Sequence, residues 1–193
     1  MQLAQRKPLR WKHWNYGWGG YYFVTICTKW MRIHWFGEIK NQKMQLSIIG
    51  KIIEEEWRKT QLMRKNIIID EWIIMPNHFH AIIIIRGDIR AEDFFDSHAD
   101  SNSIIKAHCN PILRAHCNAP VREIKSSNKF GPQRNNIPSI IRGFKGASAR
   151  RIHALGYTNF AWHRSYYDRI IRDELALNQI RKYIRDNPKN WKR

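Results

Sequence analysis

Cysteine is scarce in this chain of 193 residues, with three in all, at positions 27, 109 and 117. So small and odd a set does not staple a fold, which excludes a disulfide-built scaffold and leaves free thiols in a reducing compartment. Acidic side chains are in short supply as well: 16 Asp and Glu face 34 Lys and Arg, for a formal net charge of +18. A surplus of that size argues for a polyanionic partner, with nucleic acid ahead of an anionic membrane surface. Long apolar runs are missing too. No stretch approaches the ~18 residues of a membrane-spanning helix, and residues 1–10 carry no apolar signal core. The expectation is a cytoplasmic protein with no membrane partner.

The length suits one full domain better than two. Residues 1–20 read as a basic and aromatic arm in which Arg6, Lys7, Arg10 and Lys12 alternate with Trp11, Trp14, Tyr16 and Trp18. Any one of these alone is an ordinary solvated residue, but the mixture suits phosphate contact with base stacking. Residues 21–193 form the domain, interrupted at about 87–136 by a stretch that loses periodicity and gains Ser, Asn, Asp and Pro. That composition reads as an inserted, mobile loop. Within it AHCN occurs at 107–110 and again at 115–118, so His108, Cys109, His116 and Cys117 are all of zinc-ligand type. Adjacent His-Cys pairs nevertheless lack the spacing that converges four ligands on one tetrahedral ion.

Hydrophobic periodicity supplies the elements. Residues 21–28 (YYFVTICT) read as a first strand, and 35–39 with 43–46 as a hairpin about Asn41. Ile49, Ile52, Ile53 and Trp57 then share one helical face over 47–64, with Ser47 as N-cap. Two strands, 66–74 and 78–86, meet at Met75-Pro76-Asn77. A second helix starts at Asn136 with Pro138 in its first turn. Its apolar stripe is Ile140, Ile141, Phe144 and Ile152, which leaves Arg142, Lys145, Arg150 and Arg151 for phosphate contact. Residues 160–162 suggest a short last strand, and a final helix runs from Asp173 until Pro188 stops it.

Two features carry chemistry. In MPNHFHAIIII, residues 75–85, strand alternation turns His78 and His80 to one face, and the unbroken apolar run after them marks a strand covered on both sides. Two buried imidazoles need partners, either backbone carbonyls or a metal or phosphate group. On the last helix Ala176, Ile180, Tyr183 and Asn187 follow the helical repeat, so Tyr183 and Asn187 can face one ligand. By spacing alone they are equally an ordinary half-buried tyrosine and a helix stop.

Three stretches, MPNHFHAIII at 75–84, WHRSYYDRIIRDE at 162–174 and YIRDNP at 183–188, together resemble the REP-associated tyrosine transposases, a branch of the HUH single-strand DNA nucleases. The likeness extends over nearly the whole chain, from YYFVTICT at residue 21 through the LSIIGKIIEEEW helix to the final helix, and is loose only in the arm and the insertion at 87–136. It implies an α+β, ferredoxin-like (RRM-like) antiparallel sheet with helices packed on it and the histidine pair on a central strand. Carried over by position, it implies that His78, His80 and Asn187 hold a divalent metal, Mg2+ or Mn2+, and that Tyr183 is the catalytic nucleophile. Related transposases carry Gln where Asn187 stands. The implied reaction cuts and rejoins single-strand DNA through a covalent 5′-phosphotyrosine.

The implied partner is single-stranded or hairpin DNA formed by repetitive extragenic palindromes in the nucleoid of a prokaryotic cell, with a monomer favoured. Lys189, Lys192 and Arg193 would join Arg10 and Lys12 on the DNA backbone, and Trp191 would stack on a base. Tyr166 and Tyr167 are rival nucleophiles, but positions 170 and 171, four residues on, are both Ile rather than an amide or carboxylate. Two other classes stay open: a non-catalytic nucleic-acid-binding module on the same sheet, and a metallohydrolase that uses water in place of tyrosine.

Overall fold

A computed structural model describes residues 19–86 and 136–191. The expected arm, with Arg10 and Lys12, most of the expected insertion with its AHCN echo, and Lys192 and Arg193 lie outside the described residues.

β1 (Gly20–Cys27) opens the sheet, followed by a hairpin of β2 (Gly37–Lys40) and β3 (Lys43–Leu46). Asn41 and Gln42 turn the hairpin with positive φ, a conformation Asn adopts more readily than most residues. Helix α1 (Ile48–Leu62) begins where the Ser47 hydroxyl accepts from the Gly50 amide, satisfying one of the helix's orphan donors. β4 (Ile67–Ile74) and β5 (His78–Ile85) follow, then α2 (Ile137–Ala154). Asn136 and Ser139 cap α2 reciprocally, and Pro138 sits in its first turn. β6 (Tyr167–Ile171), α3 (Glu174–Asp186) and a 3₁₀ turn at Asn187–Asn190 end the described chain.

The main sheet runs β4-β5-β1-β6 with every neighbour antiparallel, the split βαββαβ order of a ferredoxin-like fold. β5 is central, as its apolar run requires. One difference from expectation concerns the last strand. Residues 160–162 contribute only an isolated bridge from Trp162 to Thr28, and the edge strand is β6. Phe160 and Trp162 are apolar because they fill the core beside Phe36 and Phe144 rather than because they pair in the sheet.

Alternation divides the side chains between two layers. Tyr22, Val24, Ile26, Phe79, Ala81 and Ile83 point to α1 and α2, forming the larger core with Ile53, Trp57, Ile140 and Phe144. Phe23, Ile82 and Ile171 point the other way and meet Leu177, Ile180 and Ile184 of α3. The face of α3 that seats it is therefore Leu177, Ile180 and Ile184, with Ala176 only at the margin and Tyr183 half-exposed. This is a rotation from the stripe the spacing indicated.

A β-bulge in β4 matters for that seat. Ile69 pairs with Ile83 and Trp72 with Ala81, so Asp70 and Glu71 together oppose Ile82. The extra residue keeps Ile69 and Trp72 both on the α1/α2 side while Ile73 joins the α3 side. Asp70 accepts from Arg181 at 2.8 Å and Glu71 lies 3.4 Å from Arg185, so the bulge supplies two carboxylates to one flank of α3. Among the described residues no helix is long and apolar enough to cross a membrane.

Candidate functional site

The histidine pair lies on the α3 side of β5. Cross-strand pairing sets His80 opposite Thr25 of β1, and Thr25 opposite Tyr167 of β6, so these three share one row on one face. His78 pairs with Cys27 at the end of β1. The turn before His78 is held tightly. The backbone carbonyl of Asn77 accepts from both the amide and the hydroxyl of Thr28, each at 3.0 Å, and that of Pro76 accepts from the Phe36 amide.

Within this frame the two rings converge. Their Nε2 atoms stand 3.1 Å apart, and their Nδ1 atoms are engaged elsewhere: His80 Nδ1 lies 2.8 Å from Thr25 Oγ1 and His78 Nδ1 lies 2.7 Å from Asn77 Oδ1. The Asn77 amide nitrogen donates to the Met31 carbonyl. Phe23 stacks on His80 with ring centroids 5.4 Å apart, and Trp191 covers His78 at 5.7 Å while also touching His34. Burial pushes His78 down to about 4, and burial together with the neighbouring His78 pushes His80 down to about 3. Both rings are therefore neutral at neutral pH and offer lone pairs rather than charge.

From α3, the Tyr183 hydroxyl reaches 3.4 Å from His80 Nε2, and its ring meets both His80 and Phe23 edge-on. Half of Tyr183 remains exposed, at 50 %. Asn187 follows one turn later, buried, where α3 passes into the 3₁₀ turn. Tyr183 and Asn187, more than a hundred positions after His78, thus lie on the helix that packs against this face and on the turn that follows it.

The donor set fits a divalent cation. Two nitrogens bound at about 2.1 Å to one ion stand roughly 3.0 to 3.4 Å apart at octahedral to tetrahedral angles, and the two Nε2 atoms are 3.1 Å apart. Among the described residues no group of three or more His, Cys, Asp and Glu side chains could hold an ion.

The basic residues named from the sequence are distributed differently. Arg142 and Arg150 are exposed on α2, on the sheet face opposite the histidines. Lys145, also on α2, donates to the carbonyls of His163 and Ser165, and burial lowers it to about 8. Arg151 is engaged by Glu55 and Glu56 at 2.7 Å each. Lys189 pairs with Asp186 in the 3₁₀ turn, and Trp191, named for stacking, lies beside His78. Arg169 of β6, which pairs with Phe23, is instead an exposed cation on the histidine side, and Lys29 and Arg32 are exposed just past β1. Tyr166 packs at the α1/α2 core beneath Lys145, whereas Tyr167 faces the histidine side and is exposed.

Sequence reasoning passed over Thr25 and Asn77. The available signals were a hydroxyl in an otherwise apolar strand and an amide immediately before the first histidine.

No family model matches the chain. A protein of Haemophilus influenzae, itself without a described function, is 33 % identical over 189 residues, covering 98 % of this chain and 91 % of the relative. Among solved structures, a REP-associated tyrosine transposase bound to a REP hairpin superimposes with a TM-score of 0.53 at 16 % identity, covering 89 % of this chain and 68 % of that one. A presumed transposase of Deinococcus radiodurans gives a TM-score of 0.44 at 14 % identity over 91 % of this chain and 94 % of its own, too distant to weigh.

Proposed function

The chain belongs to one family with the Haemophilus influenzae protein and has the fold of the REP-associated tyrosine transposases, and from these premises we propose that it cuts and rejoins single-strand DNA at palindromic hairpins. The observation that carries this reading is the approach of the Tyr183 hydroxyl to 3.4 Å from His80 Nε2, beside a second imidazole nitrogen aimed at the same point. A bare nucleic-acid-binding surface has no use for that convergence.

In this reading His78, His80 and Asn187 hold a divalent ion, Mg2+ or Mn2+. When bound, the ion supplies Lewis-acid polarisation of the non-bridging oxygens of a scissile phosphodiester. Tyr183 attacks phosphorus: a bond forms from the phenolic oxygen as the bond to the 3′ oxygen breaks, leaving a 5′-phosphotyrosine and a free 3′-hydroxyl. The phenol gives up its proton and the departing oxygen takes one up. Phosphoester bond energy stays in the covalent intermediate, so rejoining needs no nucleotide cofactor. A free tyrosine titrates at about 10. With their Nε2 lone pairs on the ion, the rings would serve as ligands rather than as the acceptor of the phenolic proton.

The substrate in this reading is a hairpin with flanking single strand, the kind of DNA to which the structural neighbour was bound. Trp191 and the exposed Tyr167 offer stacking surfaces, and Arg169 offers a phosphate contact on the same side; Lys29, Arg32, Arg10, Lys12 and Lys189 are further candidates for the DNA backbone, whereas Arg142 and Arg150 lie on the opposite face of the sheet, away from that track. Incubation with an end-labelled single-stranded palindrome, with and without Mn2+, tests the reading on a denaturing gel. The wild type should give a metal-dependent protein–DNA adduct, and Tyr183→Phe should lose it while still retarding the DNA. An undiminished adduct from Tyr183→Phe rules out this nucleophile, and cut DNA with no protein attached assigns the attack to water.

A further inference from the structure

The hydrogen-bond partners of the two rings determine where their hydrogens lie. Asn77 places its NH2 group against the Met31 carbonyl, so its Oδ1, which only accepts, faces His78. His78 must then carry its hydrogen on Nδ1, leaving Nε2 as a bare lone pair. The Nε2 of His80, 3.1 Å away, meets that lone pair favourably only if it carries a hydrogen. His80 Nδ1 is then bare and accepts from the Thr25 hydroxyl at 2.8 Å. In the metal-free protein the chain of donors runs from Thr25 to His80, to His78, and to Asn77.

Such a chain is incompatible with two nitrogens binding one cation, because His80 Nε2 is capped by hydrogen. Freeing it requires the other tautomer, with the hydrogen on Nδ1, and that nitrogen is buried beside Thr25 in a residue only 4 % exposed. A hydroxyl can rotate and turn from donor to acceptor, which neither an amide nor an alkyl group at this position can do without moving. Resting on the reading that the pair holds a divalent ion, we propose that Thr25 is the positioning residue that lets His80 exchange tautomers on metal binding, while Asn77 holds His78 permanently in the ligand tautomer. The asymmetry gives the two histidines different tasks: one is fixed for the cation, the other gated by a neighbouring strand.

Thr25→Val keeps shape and strand preference while removing the hydroxyl, and Thr25→Ser restores it; thermal melts establish that both fold. Two measurements separate this proposal from the reading beneath it. In metal-free wild-type protein at neutral pH, 15N-correlated NMR of the imidazoles should find His78 protonated on Nδ1 and His80 on Nε2, and added Mg2+ should move the His80 hydrogen to Nδ1. Titration with Mn2+ alone, followed by electron paramagnetic resonance, should show binding weakened at least tenfold in Thr25→Val, the order expected for losing an outer partner of a ligating histidine, and restored in Thr25→Ser. His80 already protonated on Nδ1 without metal, or Thr25→Val binding Mn2+ as the wild type does, overturns the role of Thr25 and leaves the metal reading standing. Wild-type protein that binds no Mn2+ overturns both.

Discussion

The two faces of the sheet are built on different terms. Toward α1 and α2 the side chains are large, aromatic and dry: Trp57 sits 4.8 Å from Phe79 and 5.1 Å from Phe144, centroid to centroid, with Phe36, Phe160 and Trp162 continuing the cluster. Toward α3 the apolar contacts are fewer, and polar groups share the layer: two imidazoles, Thr25, Tyr183 and the carboxylate–guanidinium pairs of the bulge. Offset and edge-on aromatic packing contributes stability beyond the area it hides. Buried polar groups have to be satisfied one by one instead. The contrast teaches that the first face holds the sheet, while the second admits polar groups that have to be partnered individually.

Breaking the aromatic face should do the greatest harm. Trp57→Ala removes a fully buried indole at the centre of the cluster and should cost about 3–5 kcal/mol, read from the urea midpoint at unchanged slope.

Acid should strike the other face. In an unfolded chain a histidine titrates near 6.5, whereas in the fold burial holds His78 to about 4 and, with the adjacent ring, His80 to about 3. The unfolded chain takes up protons first as pH falls, so the metal-free protein should be fully stable above about 6.5 and lose several kcal/mol progressively from there down to about 3, where the rings of the fold take up protons as well. Replacing both rings with Phe should flatten that slope in pH-dependent urea melts, because the aromatic core contains no histidine.

Smaller effects sharpen the comparison. Arg181→Met breaks a partly shielded pair with Asp70 and should cost about 1 kcal/mol, with a larger loss of adduct formation than of stability because α3 carries the tyrosine. Arg185→Met touches a longer and more exposed pair, 3.4 Å from Glu71, and should change the urea midpoint by about 0.3 kcal/mol or less.

How much of this could be read beforehand follows from range along the chain. β5 was readable because a strand covered on both faces is apolar at every position, and α1 and α2 because Ser47 and Asn136 announce their starts. β6 was not. In YDRII an edge strand sends Asp168 one way and Arg169 the other, so its alternation looks like a loop, while the aromatic 160–162 stretch imitates a strand. The β4 bulge leaves no local mark either, since IIIDEWII specifies no register until β5 lies beside it. At the site, His78, His80 and Tyr183 stand out by spacing and by family resemblance. Thr25 does not, because its pairing with His80 joins residues 55 apart, and nothing in VTIC distinguishes a tautomer partner from an ordinary strand hydroxyl.

The ion pairs that moor α3 to β4 also fix which histidines Tyr183 meets. Arg172 and Asp173 alone link β6 to the helix, and Asp70 grips it from the opposite edge of the sheet, so Tyr183 reaches the imidazoles of its own polypeptide. On the proposed reading each molecule would be self-sufficient: adduct yield per molecule should not rise with concentration, and a mixture of His78→Ala with Tyr183→Phe should remain as inert as either variant alone.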